Sequence, residues 1–592
     1  MLYILDYGAG NVASLANSVR SLGFDFKWVE SVEDFDKADR ILFPGVGAIR
    51  SALSSLREKG FAEPLKKYIA SGRPYMGICI GMQVLFESSD ESEVEPGLGV
   101  IPGKVGRFDS SDKTVPCMGW NGATALRELG EAKKTYGLDA DSSYYFVHSY
   151  RVAFDEKMED WALTLTKYGD ETYVSSVQKG NVFATQFHPE KSGPAGLEVL
   201  KSWLTQGEKG QLVDTSVKPR REQADIDEEL VRRGFTKRIV ACLDVRTNDA
   251  GDLVVTKGDQ YDVREAEEST TTETPIPSTN AADGPSSDST VPKPKGRDVR
   301  NLGKPVDLAR RYFAEGADEV AFLNITSFRS CPMHDQPMLD VVRQSAETVF
   351  VPLTIGGGIR DTTDPDGTSR SALEVAGTYF RCGADKVSIG SDAVFAVEDM
   401  LAAGGKKTGK TGIETISYAY GNQAVVVSFD PKRVYANSPE DVPAIHRPSV
   451  VDLASPLPGS STPLKADLGP NGERYCWYQC TVRGGRETRD IDVVQLAQGV
   501  ESLGAGEILL NSVDRDGSKA GFDLRLVALV KRSVSIPVVA SSGAGKVEDF
   551  SEVFRETGVE AALAAGIFHR KEVPISDVKD HVQAEGIKIR VV

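Results

Sequence analysis

The chain has 592 residues, 40% of them hydrophobic and 26% charged, with a formal net charge of −17. That length calls for more than one domain, and no run approaches the ~18–20 apolar residues of a membrane span. The acidic balance argues against non-specific nucleic-acid binding. It leaves room for an anionic small substrate, because glycine-rich backbone amides bind phosphate even on an acidic protein.

The opening MLYILDYG reads as a strand rather than a targeting segment, so a cytoplasmic protein is expected, or a plastid form without its transit peptide. LYILDYG, RILFPGVG, PYMGIC and NVFATQF are short apolar strands interleaved with amphipathic stretches, and residues 1–207 read as one α/β domain. The seven cysteines (79, 117, 242, 331, 382, 476 and 480) are odd in number and scattered, as in a reducing compartment. Cys476 and Cys480 form the only close pair. They have no neighbouring Cys or His set with zinc-ligand spacing, so neither a metal nor a cofactor is expected.

GICIGMQ (77–83) places Cys79 where a strand turns into a helix, with Gly77 and Gly81 to permit close approach and unusual dihedrals. A buried cysteine can be plain packing. At a helix N-terminus the dipole also favours the thiolate, the reactive form, which makes a nucleophile elbow the sharper reading. Such a thiolate needs a base and an orienting group. FATQFHPEKS supplies them: His188 ends an apolar strand and Glu190 follows two residues on. PGVGA (44–48) is a glycine turn at a strand end that would otherwise be an ordinary turn. Gly45 and Gly47 lie in it, and the amides of Gly47 and Ile80 are the favoured oxyanion donors.

Residues 208–234 are charged, lack a strong apolar period and read as a connector. From 235 a second α/β pattern runs to the C-terminus. Two stretches interrupt it: 265–297, rich in Ser, Thr and Pro and read as disordered, and 437–474, which ends before the hairpin-like YCWYQCTVRGGRE. What remains is close to the ~250 residues of a (β/α)8 barrel. Eight strands are expected, at 238–244, 319–324, 350–355, 385–390, 423–429, 506–512, 536–541 and 560–566. IVACLDV echoes AVVVSFD and GADEVAFLN echoes GAGEILLNS, so the barrel reads as two related halves. Asp244 and Asp430 then end two strands half a barrel apart and project into one mouth, as general acid–base work requires. GGGIR (356–360) and SSGAG (541–545) are glycine turns that could hold the two ends of a bisphosphate.

GICIGMQ, PGVGA and HPEKS, in this order and spacing, resemble a class I glutamine amidotransferase, a flavodoxin-like α/β domain. YGAGN, MGWN and YYFVHSY narrow the resemblance to the glutaminase of the imidazole glycerol phosphate synthase family. It implies that Cys79 attacks the glutamine amide, His188 shuttles protons and Glu190 orients His188. Gln83, Glu91, His148 and Ser149 would hold the glutamine.

RIVACLDV, VVTKGD, GGGIRD, GADKVSIGSDAV, DPKRV, GAGEILLNSVDRDGSKAGFD and SSGAGK resemble the cyclase of the same family, a TIM barrel fused here to the glutaminase. The implied reaction joins ammonia to N'-(phosphoribulosyl)-formimino-AICAR phosphate, giving imidazole glycerol phosphate for histidine synthesis and AICAR phosphate. Asp244 and Asp430 would be its acid and base, Lys257 part of a substrate-covering loop, and Asp516 a further carboxylate. Gly358, Ser391, Gly517, Gly543 and Gly566 would bind phosphates through their amides. Asn324 stands where many bacterial relatives have Asp. SIGSDA replaces the commoner Asn-Thr pair, and SSGAG replaces a three-glycine turn.

Arg238, Glu319, Lys386 and Glu507 each precede the apolar run of a barrel strand, so they fall on the rim opposite the mouth. Taken singly they are surface charges. The resemblance implies a closed ring of ion pairs gating ammonia, with the glutaminase docked over it. The two domains are expected to pair within one monomeric chain that binds small molecules, with no nucleic-acid or membrane partner. Two rival readings are a barrel of the pyridoxal phosphate synthase kind, working through a lysine Schiff base, and a regulatory scaffold with a dead glutaminase.

Overall fold

Short runs, buried in the middle strands and partly exposed in the edge strand Phe26–Trp28, set the N-terminal sheet. Phe26–Trp28, Leu2–Ile4, Arg40–Phe43, Tyr75–Ile78 and Val182–Thr185 lie side by side in that order and run parallel. Glu171–Lys179, Ala162–Tyr168 and Thr124–Ala125 continue the sheet antiparallel. The 2-1-3-4-5 order of the parallel part is the flavodoxin-like one. Tyr75–Ile78 and Val182–Thr185 are buried at every position, which is why they read as continuous rather than alternating apolar runs. This computed structural model describes residues 1–591 apart from 9, 46, 93, 130–135, 207–212, 248–252, 257–302, 326–335, 365 and 459–466. Lys257 and the 265–297 stretch therefore lie outside the described residues.

The C-terminal half is a closed parallel barrel. Its strands are Arg238–Thr247, Glu319–Asn324, Leu353–Gly356, Lys386–Ile389, Val425–Phe429, Glu507–Leu510, Val538–Ala540 and Ala561–Ala564, and the last pairs with the first. All eight expected strands are present. Side chains alternate between two cores. Val240, Cys242, Ala321, Val426, Leu509, Val539, Ala561 and Leu563 cluster in one, whereas Ile239, Ala241, Val320, Phe322, Ile508 and Val538 join the other, with the helices.

Three local expectations change. The first barrel strand does not end at Asp244: it runs on to Thr247 because Val245–Thr247 pair antiparallel with Leu253–Val255. Within the 208–234 connector, Gln223–Arg233 is a helix that buries Ile226 and Leu230. This single i, i+4 pair was masked in sequence by the seven charged or amide residues of the helix, and Glu229 between them is itself paired to Arg221 at 2.9 Å. The 437–474 interruption is also structured where described. Lys432–Ala436, Val451–Asp452, Tyr475–Val482 and Glu487–Asp492 make one antiparallel sheet, including the expected hairpin.

The two halves are joined by a two-stranded ribbon, Cys117–Asn121 with Tyr144–His148. Its period-2 alternation serves both cores. Cys117, Tyr144 and Phe146 pack into the N-terminal core, while Met118, Trp120, Tyr145 and Val147 pack into the barrel core. Arg590 stacks over Trp120 at 4.1 Å, and the Trp120 Nε1–H donates to Asp318 O at 3.3 Å. Among the described residues no helix is long and apolar enough to cross a membrane.

Candidate active sites

Cys79 and His188 both follow the C-terminal ends of neighbouring parallel strands, in register Ile78 with Thr185. That end is where open α/β sheets bind ligands. The Cys79 N–H donates to Thr185 O at 2.7 Å, which locks the elbow to the strand that delivers His188. The expected division of labour at the elbow is reversed in one respect. Cys79 itself takes the unusual backbone (φ 51°, ψ −101°), and neither Gly77 nor Gly81 has positive φ. The glycines serve close approach instead. A Cβ at Gly77 would lie 2.2 Å from Gly81 O, and one at Gly81 would lie 2.1 Å from Phe43 O. A non-glycine residue held at positive φ is strained and points to a site that needs it. Ile80 opens the short helix Ile80–Gln83, whose first N–H groups have no intrahelical partner. Gly45 leaves those amides accessible, since a Cβ there would sit 2.7 Å from Ile80 N.

The His188 Nδ1–H donates to Glu190 Oε1 at 2.8 Å, with both side chains buried. This bond fixes the tautomer and leaves Nε2, buried without a well-formed hydrogen bond, toward the Cys79 sulfur. Burial pulls the imidazole pKa down, but the Glu190 carboxylate and the Cys79 sulfur outweigh it and push it up to about 10. Sequence reasoning missed Gln186, although it lies inside the quoted FATQFHPEKS. Its Nε2 donates to Cys79 Sγ at 3.4 Å, and its Oε1 accepts from Gln83 Nε2 at 2.9 Å.

The other glutamine candidates surround this centre with their polar groups partly committed. Gln83 also donates to Tyr150 O at 3.1 Å, and Glu91 accepts from Ile49 N at 2.8 Å with burial raising its pKa. His148 is bonded through Nδ1 to Tyr150 O at 2.7 Å. Burial, with a contribution from His188, lowers its pKa to about 3, so it is neutral. Gly47 has φ 144°, and its carbonyl accepts from the barrel residue Gln423 at 3.3 Å. Ser149 Oγ donates to Asn422 Oδ1 at 3.0 Å. The glutaminase turn and the HSY segment are thus both tied to barrel residues 422–423, a link no local pattern revealed.

Arg238, Glu319, Lys386 and Glu507 are each the first residue of a barrel strand. They close into a ring. Arg238 Nη1 donates to Glu319 Oε2 at 2.7 Å and Nη2 to Glu507, while Lys386 Nζ reaches Glu319 at 2.7 Å and Glu507 at 2.6 Å. The four side chains are at most 4% exposed. Burial would raise the Glu507 pKa, but Arg238 and Lys386 outweigh it and hold the carboxyl below its ordinary range. Such a ring is tolerable when buried because every charge faces two opposite ones.

At the other end of the barrel, Asp430 directly follows the fifth strand. Its Oδ1 accepts from Asn511 Nδ2 at 2.9 Å, and its carbonyl accepts from Thr481 Oγ1 at 2.5 Å. Asn511 was not among the sequence candidates. Asp244 lies in the first strand beside Leu323 in register, its carbonyl accepting from Thr256 N at 2.8 Å. Gly358 (φ 75°) and Ser391 follow the third and fourth strands. Asp516, Gly517 (φ 72°), Gly543 (φ 100°) and Gly566 follow the sixth to eighth. The mouth therefore has two glycine-bearing sides flanking the carboxylates. In SSGAG, Ser542 takes a left-handed φ of 70°, the conformation a glycine would adopt more readily.

Residues 3–206 match the class-I glutamine amidotransferase family, and residues 238–574 match the histidine biosynthesis protein family. The imidazole glycerol phosphate synthase hisHF of Schizosaccharomyces pombe is 52% identical, over 99% of this chain and 99% of its own. The chloroplastic hisHF of Arabidopsis thaliana is 51% identical over 99% of this chain and 89% of its own. The synthase subunit HisF of Thermobifida fusca is 39% identical and spans 50% of this chain, with 91% of its own length covered. Carrying both an amidotransferase and a cyclase barrel in one polypeptide, the chain belongs to the imidazole glycerol phosphate synthase family.

Proposed function

We propose that the family reaction runs through the residues above in two half-reactions. In the first, the Cys79 sulfur attacks the glutamine amide carbon with the proton held on His188 Nε2. The Ile80 and Gly47 amides receive the developing oxyanion, and preorganised donors of this kind are worth about 10²–10³ in rate. The imidazolium then protonates the departing nitrogen as the C–N bond breaks. Water, deprotonated by His188, releases glutamate and frees the sulfur. Glu190 keeps Nδ1 protonated throughout, so that Nε2 is the group that cycles.

In the second half-reaction, ammonia passes the Arg238–Glu319–Lys386–Glu507 ring and travels along the apolar barrel interior. It must stay unprotonated, because ammonium has no lone pair. At the mouth, Asp244 and Asp430 serve as acid and base while ammonia combines with N'-(phosphoribulosyl)-formimino-AICAR phosphate. The two glycine-bearing sides hold its phosphates through backbone amides. The products are imidazole glycerol phosphate and AICAR phosphate. The pairing is within one monomeric chain.

The closed ion-pair ring carries this reading, because it sits where the glutaminase ribbon meets the barrel. Lys386 Nζ lies 3.4 Å from Met118 Sδ of that ribbon. The test is to supply glutamine and the formimino substrate and to measure glutamate and imidazole glycerol phosphate, expected in a ratio near one. No imidazole product from either glutamine or ammonium would overturn it.

A further inference from the structure

The 437–474 segment interrupts the barrel between its fifth strand and the helix Val493–Leu503. Before it, Arg433 stands on Lys432–Ala436, its side chain only 4% exposed. The guanidinium is shared between two carboxylates. Nε and Nη2 donate to Asp523 Oδ2 at 2.9 and 2.8 Å, and Nη1 donates to Asp467 Oδ2 at 2.6 Å. Asp467 comes from the far end of the interruption. The same Asp467 oxygen accepts from Arg515 Nη2 at 2.5 Å.

Arg515 immediately precedes Asp516 and Gly517. The loop that holds all three is gripped on both sides. The Arg433 N–H donates to Asp514 Oδ2 at 2.8 Å, and Asp523 caps the next helix by accepting from Leu526 N at 3.2 Å. Tyr478 Oη, from the inserted hairpin, donates to Asp523 Oδ1 at 2.9 Å. The loop also supports the neighbouring glycine turn. Gly521 N donates to Gly543 O at 2.9 Å, and a Cβ on Gly543 would lie 2.2 Å from Gly521 O. A shift of this loop therefore moves Gly517 and Gly543 together. Burial would raise the Asp467 pKa, but Arg433 and Arg515 outweigh it and keep the carboxyl below its ordinary value.

We propose that Asp467 is a positioning residue for the cyclase: by bridging Arg433 and Arg515 it sets the loop that carries the Asp516 carboxylate and presents Gly517, and through Gly521 the Gly543 turn, to one phosphorylated end of the substrate. The proposal rests on the reading of those residues as the phosphate-binding side of the mouth. Asp467 touches no substrate. Without it, two guanidinium groups lose a shared anion, and Arg515 loses the ion pair that ties it to the inserted segment.

The experiment measures ammonium-supported cyclisation in the full chain carrying Asp467→Ala, Asp467→Asn or Asp467→Glu, with glutaminase turnover and the thermal midpoint as controls. For Asp467→Ala and Asp467→Asn, KM for the formimino substrate should rise about tenfold, with kcat changed less than about threefold. Asp467→Glu should recover most of the loss, and basal glutaminase turnover should be unchanged in all three. A KM within about twofold of the unsubstituted protein in folded Asp467→Asn would overturn the proposal, as would a loss confined to kcat. Should Asp467→Ala fail to fold, Asp467→Asn keeps the shape and answers the same question. Asp516→Asn is run alongside. If it too is normal, the reading of the loop as a binding element falls; if it is impaired while the Asp467 variants are normal, only the present proposal falls.

Discussion

Lys386 Nζ, at the bottom of the fourth barrel strand, lies 3.4 Å from Met118 Sδ on the glutaminase ribbon and bonds at the same time to Glu319 and Glu507. One ammonium group thus belongs both to the ion-pair ring and to the contact between the two halves. Lys386→Met should leave glutaminase turnover and ammonium-supported cyclisation within about threefold of normal, while the ratio of glutamate to imidazole glycerol phosphate rises to about two or more. Removing one member of a buried charge set costs about 3–5 kcal/mol, so a lower thermal midpoint is expected too. A ratio still near one with both half-reactions healthy would sink the gate.

Cys79→Ala should abolish product formed from glutamine and spare product formed from ammonium salts, because only the nitrogen source is lost. Alanine fills less space than cysteine, but a Cβ is already accommodated at φ 51°. The fold should survive. Glutamine hydrolysis at the original rate in this variant would refute the nucleophile assignment.

The His188–Glu190 pair predicts a pH dependence. A histidine whose folded pKa is raised to about 10 contributes stability that is fully present below its unfolded pKa near 6.5 and is lost as pH rises through the folded value. Glutaminase activity should accordingly hold through the neutral range and fall as pH approaches 10, when the imidazolium can no longer protonate the departing nitrogen. Glu190→Gln removes the largest raising influence, so the alkaline limb should move down by one pH unit or more. A profile of glutaminase kcat/KM against pH, with an unmoved alkaline limb in Glu190→Gln, would contradict the pairing.

Asp244→Asn and Asp430→Asn should each lower cyclisation with either nitrogen source by about 10²–10⁴, the range for positioned acid–base groups. Glutaminase turnover without the barrel substrate should persist in both. Losses below about tenfold at both positions, measured with saturating ammonium, would send the search for the acid–base pair elsewhere.

Much of this chain was legible one strand at a time. The eight barrel strands, the Cys79 elbow, the His188–Glu190 spacing and the four ring residues all lie in short contiguous patterns. Strand periodicity and turn chemistry act between near neighbours, so they leave their mark in the residue order. Gln186 and Asn511 were missed although they sit inside quoted motifs. Their amides gain meaning only from Cys79 and Asp430, which the fold brings in from other strands. Gln423 and Asn422 bond Gly47 and Ser149 across the join between the halves, where no spacing rule applies.

Local pattern also misleads where tertiary partners decide. GGKKTGKT (404–411) has the spacing of a phosphate loop. It joins two helices, Ser391–Ala402 and Gly412–Tyr420, and Glu414 already accepts from the amides of Gly409, Lys410 and Thr411 and the hydroxyls of Thr408 and Thr411. The residue order alone determined where the eight barrel strands form, which carboxylates lie in or just after them, where the elbow sulfur sits, and which family the motifs resemble. Only the tertiary structure decided the closure of the first barrel strand on the eighth, the ring at its foot and the anchoring of the inserted segment through Asp467. The ring and the anchoring join residues from 34 to 269 positions apart, and the closure joins residues farther apart still; which distant charges meet depends on the packing that buries them together.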